Sequence, residues 1–129
     1  MAKVFLDTNY FIDAIHRKPE KQILTSLENQ SVYVSTLSFH IYCHIFKIKI
    51  PDERVLTQRE KFEAIDFSEG ILELALQGPT KDFEDNVQLH SAAEAECDVF
   101  LTNDRKLLDM TFFGKTKIES ILSTNLRPK

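Results

Sequence analysis

Two apolar triplets in this chain end on polar, acid-bearing triplets. Val4-Phe5-Leu6 runs into Asp7-Thr8-Asn9, and Val99-Phe100-Leu101 runs into Thr102-Asn103-Asp104. A short continuous apolar run closed by turn-forming residues reads as a strand buried on both faces, as in a parallel sheet. Such a sheet binds ligands beyond the carboxyl ends of its strands, where loops and helix N-termini are free to carry chemistry. This recurrence therefore constrains both the fold and the edge at which function sits.

The rest of the chain alternates in the same sense. A helix is expected over Tyr10–Ile15, capped by Thr8 or Asn9, and a second from Pro19 to about Glu28, proline being tolerated in a first turn. Ser31–Val34, Ala64–Phe67, Asp98–Thr102 and Lys117–Leu122 read as strands. Helices are expected over Leu37–Ile48, Asp52–Glu63, Ser68–Leu76, Asp82–Glu96 and Asn103–Met110, with a frayed tail after Pro128. The pattern predicts one α/β domain over residues 1–129, a mainly parallel central sheet flanked by helices. The Leu37–Ile48 helix is apolar on nearly every side, so it is either buried all round or meets a partner chain.

A third acidic cluster, Asp82-Phe83-Glu84-Asp85, occupies the first turn of the helix preceding the Val99–Leu101 strand. Once the sheet assembles, all three clusters are placed to converge on one edge. Converged carboxylates suit a hard divalent cation such as Mg²⁺, which takes oxygen ligands and retains several waters. Cations held in this way serve hydrolysis of phosphodiesters. Each acid also has a plainer role: Asp7 in an Asx-turn, Asp82 as a helix cap, Asp85 and Asp104 as first-turn acids.

In order and spacing, Phe5-Leu6-Asp7-Thr8-Asn9, Asp82-Phe83-Glu84-Asp85 and Leu101-Thr102-Asn103-Asp104 resemble the three motifs of the PIN-domain family. These are small α/β nucleases that include the VapC toxins of bacterial toxin–antitoxin pairs. The resemblance covers essentially the whole chain. It implies a metal-dependent endoribonuclease using Mg²⁺ or Mn²⁺, with Asp7, Asp85 and Asp104 as metal ligands. Asn9 and Thr102, with Asn103 and Arg105 beside them, are then supporting or substrate-contacting residues. It further implies an RNA substrate, a small antitoxin protein as partner and a homodimer.

The family's further acid, one turn into the helix after the second strand, is matched here by His40, and no acid occurs from Gln30 to Pro51. An imidazole suits Mn²⁺, Zn²⁺ or Ni²⁺ better than Mg²⁺ and brings no negative charge. Three readings stay open. The site works with three carboxylates and a softer metal, or His40 contacts substrate phosphate, or the protein is a weakened module that binds RNA or another protein. Asp13 and Glu84 are candidates to replace the missing acid. His40, Cys43 and His44 also fall on one helical face, a weak metal-ligand pattern.

Composition closes off other classes. Three glycines, none clustered, exclude a Gly-rich phosphate loop or a dinucleotide fingerprint. Cys43 and Cys97 form no CxxC pair and read as buried free thiols, which fits a cytoplasmic protein. No stretch reads as a signal peptide or a membrane span. A net charge of −4 excludes a basic surface coating nucleic acid along its length. It does not exclude an enzyme whose acids face a metal ion.

Overall fold

In the computed structural model, which describes residues 1–122, six strands form one sheet in the order β3-β2-β1-β4-β6-β5. The strands are β1 (Lys3–Leu6), β2 (Ser31–Ser35), β3 (Glu63–Ile65), β4 (Val99–Leu101), β5 (Phe112–Phe113) and β6 (Thr116–Glu119). All neighbours pair in parallel except the β5–β6 hairpin. The helices are α1 (Thr8–Ile12), α2 (Ile23–Ser26), α3 (Thr36–Ile45), α4 (Glu53–Arg59), α5 (Glu69–Ala75), α6 (Phe83–Glu94) and α7 (Arg105–Leu108).

Chain order sets the site. From β1 the chain crosses to β2 and on to β3, moving outward on one side; it then returns across the sheet to lay β4 on the other side of β1. The direction of winding reverses between β1 and β4. At such a switch point the two following connections leave in opposite directions and open a crevice beyond the strand ends.

Alternation within β1 and β4 fills both faces. Val4, Leu6, Val99 and Leu101 pack with Phe11, Ile12, Val34 and Tyr42 on one face. Phe5 and Phe100 point to the other, against Leu89, Ala92, Leu107 and Ile118. Their rings stack with centroids 5.5 Å apart and planes 12° from parallel. This is the cross-strand packing that pins two strands in register.

The expected helices and strands are recovered, with local differences. Asp7, not Thr8 or Asn9, caps α1, its Oδ1 accepting from Tyr10 N at 2.8 Å. The helix then continues as a π-helical turn through Asp13–Arg17. Pro19 opens only a 3₁₀ turn, because Gln22 adopts φ +48° and breaks the helix before α2. The Phe112–Phe113 strand was not evident in the sequence. A two-residue turn at Gly114-Lys115, with Gly114 at φ +61°, folds it back on Thr116–Glu119. Cys97 is buried, but Cys43 is only partly so; both are free thiols. The tail after Pro128 lies outside the described residues. Among the described residues, no helix is long and apolar enough to cross a membrane.

The apolar helix α3 is neither buried all round nor fully exposed. Ser38 and Tyr42 are buried, Phe39 and Cys43 pack partly on the core, and His40, His44 and Ile45 face outward. Because Phe100 is fully buried and stacked on Phe5, Phe100→Ala is expected to lower unfolding free energy by about 3–5 kcal/mol. Urea unfolding reads this as a lower midpoint at unchanged slope.

Candidate active site

Register brings the two acidic triplets level. Leu6 pairs with Leu101, so the next residues, Asp7 and Thr102, stand side by side at the carboxyl end of the sheet. Asp7 N–H donates to Leu101 O at 3.1 Å. The Thr102 hydroxyl donates to Asp7 Oδ2, and Thr102 Oγ1 accepts in turn from Asp104 N–H at 3.0 Å. Thr102 thereby ties one acidic segment to the other. Asp104 caps α7, its Oδ1 accepting from Lys106 N at 2.8 Å.

Helix α6 delivers the third cluster. Asp82 caps it as expected, accepting from Asp85 N at 2.9 Å, so Asp82 is turned back on the backbone. Asp85 stands three residues on, in the first turn of the helix. The next residue, Asn86, is buried and anchors the helix start. Its amide donates to Ala75 O and Thr80 O, both at 2.9 Å, and its carbonyl accepts from Thr80 N and the Thr80 hydroxyl. All four hydrogen-bonding positions of a buried amide are thus used, which fixes where Asp85 points.

These elements enclose a cavity of about 280 Å³ lined by Asp7, Thr8, Asn9, Glu84, Asp85, Gln88, Asn103 and Asp104. Four of the eight are acids, and no lysine or arginine is among them. Burial pushes the Asp7 carboxyl up to about 6, against the lowering hydrogen bonds from Thr102 and Tyr10 N–H; Asp104 and Glu84 add repulsion. Asp85 also rises to about 6, first through burial and then through Asp82, Asp104, Asp7 and Glu84. Asp7 and Asp85 are thus held where their ionised forms are disfavoured, the signature of a site that awaits positive charge.

Other residues picked out in the sequence are distributed differently. Thr102 lies beneath the cavity, holding Asp7. Asn9 lines it, but its Oδ1 and its main-chain oxygen accept from Arg17 at 3.0 and 3.2 Å. Arg105 is exposed at the start of α7. His40 is outside the cavity lining: it is exposed on α3, and its ring stacks on His44 with centroids 6.1 Å apart. Asp13 is also elsewhere, paired with Arg17 at 3.0 Å and Lys18 at 3.6 Å. The fourth carboxylate is Glu84. Three polar residues carried no sequence signal: Asn86, Ser38 and Gln88. Only the helical spacing of Gln88, three after Asp85, could have marked one of them.

The donor set fits a hard divalent cation. Its groups are carboxylates and amides, and its uncompensated charge is negative. Among the described residues no three His, Cys, Asp or Glu side chains are drawn into a ready-made cage. Mg²⁺ takes oxygen ligands of this kind and keeps several of its waters.

Without a cation the cluster costs stability. Because the folded pKa of Asp7 lies above the ordinary 3.8, the folded state binds more protons than the unfolded state between about pH 4 and 6. The stability this gives is complete below pH 4 and lost as pH rises through 6; a two-unit shift is worth about 3 kcal/mol. In EDTA at pH 7.5, Asp7→Asn is expected to raise the melting temperature by about 5 °C, with the difference vanishing by pH 4, as read by scanning calorimetry.

The PIN-domain family profile matches residues 3–106. No curated protein sequence matches the chain. Among solved structures, VapBC2 from Rickettsia felis bound to a DNA fragment from their promoter superposes with a TM-score of 0.61 at 20% identity, covering 91% of this chain and 97% of that one. DNA-bound VapBC from Salmonella typhimurium gives 0.61 at 21% identity, covering 92% and 98%. FitAB bound to an IR36 DNA fragment gives 0.54 at 15% identity, covering 80% and 86%. Motif order, sheet topology and a profile match over most of its length agree: the chain belongs to the PIN-domain family, whose members are generally nucleases.

Proposed function

We propose that this protein is a metal-dependent endoribonuclease that hydrolyses RNA phosphodiester bonds, and that it is the toxin of a VapBC-type toxin–antitoxin pair. One observation carries the reading: Asp7, Glu84, Asp85 and Asp104 line a single cavity, with no basic side chain among the described residues that line it. The fold likeness to VapBC and FitAB supports the toxin assignment and a small antitoxin protein as partner. A homodimer and a cytoplasmic setting belong to the same proposal.

Asp7, Asp85 and Asp104 would hold Mg²⁺ or Mn²⁺. When bound, the cation supplies an activated water and neutralises charge on the phosphate during in-line displacement. The protein's own residues do the positioning. Tyr10 N–H and the Thr102 hydroxyl fix the Asp7 carboxylate, leaving its orientation independent of solvent. The cap of α7 holds Asp104 at the rim, and the Asn86 anchor holds Asp85 opposite. Glu84 adds a fourth negative charge. This is the contribution that His40, outside the cavity lining, does not make. Asn103 lines the opening, and Arg105 and Lys106 are exposed beside it, placed to meet the phosphates of a single strand.

The alternative is a catalytically weakened PIN-fold module that binds RNA or protein. It draws on His40 in place of an acid, and Glu84 in the cavity weighs against it.

Purified protein incubated with an RNA pool and Mg²⁺ or Mn²⁺ is expected to cleave it, and EDTA to abolish cleavage. Asp7→Asn and Asp85→Asn should each lower the rate by at least about 10²-fold, within the range for loss of a transition-state contact. Glu84→Gln should lower it about tenfold, whereas His40→Ala should stay within about twofold of wild type. Cleavage retained by Asp7→Asn overturns the site assignment. No cleavage by the wild type with either ion favours the binding module.

A further inference from the structure

Gln88 lines the acidic cavity from α6, one turn beyond Asp85, yet is only 1% exposed. Its Oε1 accepts from the Ser38 hydroxyl at 3.3 Å, and Ser38 Oγ in turn pairs with Thr8 Oγ1 at 2.9 Å. That chain joins α6, α3 and α1 and holds the Oε1 end of the amide. Among the described residues, Gln88 Nε2 has no hydrogen-bond partner. A buried donor left unmade is costly and uncommon, and leucine or methionine would fill the same space without that cost. The amide therefore points to an acceptor that arrives with a ligand.

The surroundings narrow what that acceptor is. Four carboxylates line the same cavity, so an anion enters only accompanied by its own cation or at a cation already held there. The Thr8 hydroxyl is engaged by Ser38, and the other two amides that line the cavity, Asn9 and Asn103, are exposed to solvent. Gln88 is the buried neutral donor that remains at the floor, beside the acids, where the phosphate would lie. A neutral amide N–H can take a phosphoryl oxygen there without displacing the cation or pairing permanently with a carboxylate, as lysine would.

We infer that Gln88 is a substrate-binding residue whose Nε2 donates to a non-bridging oxygen of the scissile phosphodiester, with Ser38 and Thr8 fixing the amide for it. The inference rests on the nuclease reading above and adds a donor to the phosphate's surroundings. Such a donor strengthens as charge gathers on the phosphoryl oxygens, so it acts mainly on the rate of cleavage and less on affinity.

Gln88→Met, which keeps the volume and removes the donor, is expected to lower kcat about 10²-fold with little change in KM. Mn²⁺ affinity by titration calorimetry should stay within twofold of wild type. Ser38→Ala, which keeps the donor but frees the amide to rotate, should lose only about three- to tenfold. Wild type should cleave one phosphorothioate diastereomer more slowly than the other, and Gln88→Met should discriminate less. Independently of cleavage, the Gln88 side-chain amide resonances of ¹⁵N-labelled wild type should move downfield when a single-stranded oligonucleotide is added with Ca²⁺. If wild type does not cleave but the amide shifts, the donor role stands and the nuclease reading falls. If wild type cleaves while Gln88→Met is unimpaired and the amide does not shift, the inference is overturned alone. A fall in Mn²⁺ affinity in Gln88→Met also overturns it, since the amide would then serve the metal ligands.

Discussion

The in-register parallel pairing of β1 with β4 is the constraint on which the rest depends. Phe5 stacked on Phe100 fixes the two strands against sliding, and a slip of one residue would exchange every side chain between the two faces. Fixed this way, both strands stop at the same height. Thr102 then reaches Asp7 directly, and Asp104 N–H reaches Thr102. Two residues 95 positions apart in sequence form one hydrogen-bonded unit because of apolar packing on the far side of the sheet. The chemistry at the strand ends is in this sense a consequence of the core.

The site built on that unit opposes folding. Asp7 is buried and Asp85 half so, and their carboxyl groups repel each other and their neighbours. Acids in those positions are not there for stability. The protein carries that cost through well-satisfied surroundings: three helix caps at Asp7, Asp82 and Asp104, and the four-bonded Asn86. A bound cation would convert the repulsion into attraction, coupling ligand binding to stability. The net charge of −4 takes on a different meaning here, because part of it is concentrated where a metal ion, and not protein side chains, would balance it.

Polar scaffolding around the site was the least visible part of the sequence. Asn86, Ser38 and Gln88 are common residues with no motif of their own, and their roles depend on partners 6 to 50 positions away. His40 illustrates the opposite case. Its place in the chain, one turn into the helix after the second strand, suggested a ligand, but the phase of α3 turns it outward beside His44. A helix advances about 100° per residue, so a position one step from an inward-facing one is already on another face. Of the two acids the sequence offered in place of the missing one, Glu84 lines the cavity and Asp13 does not.

The sequence by itself determined the class of the fold and the edge at which the acids gather. Continuous apolar triplets require burial on both faces, alternation with helices requires parallel connections, and acidic triplets at the strand ends place carboxylates at the carboxyl edge. These are local requirements of burial and hydrogen bonding, which a short segment carries within itself. Only the tertiary structure decided that β1 and β4 are neighbours, that Asp7 and not Thr8 or Asn9 caps α1, that Glu84 is the fourth acid lining the cavity, and that the Gln88 Nε2 has no partner among the described residues. Those outcomes depend on the order of the strands and the rotation of each helix about its axis. Both are set by the whole core packing together, and no single segment encodes them.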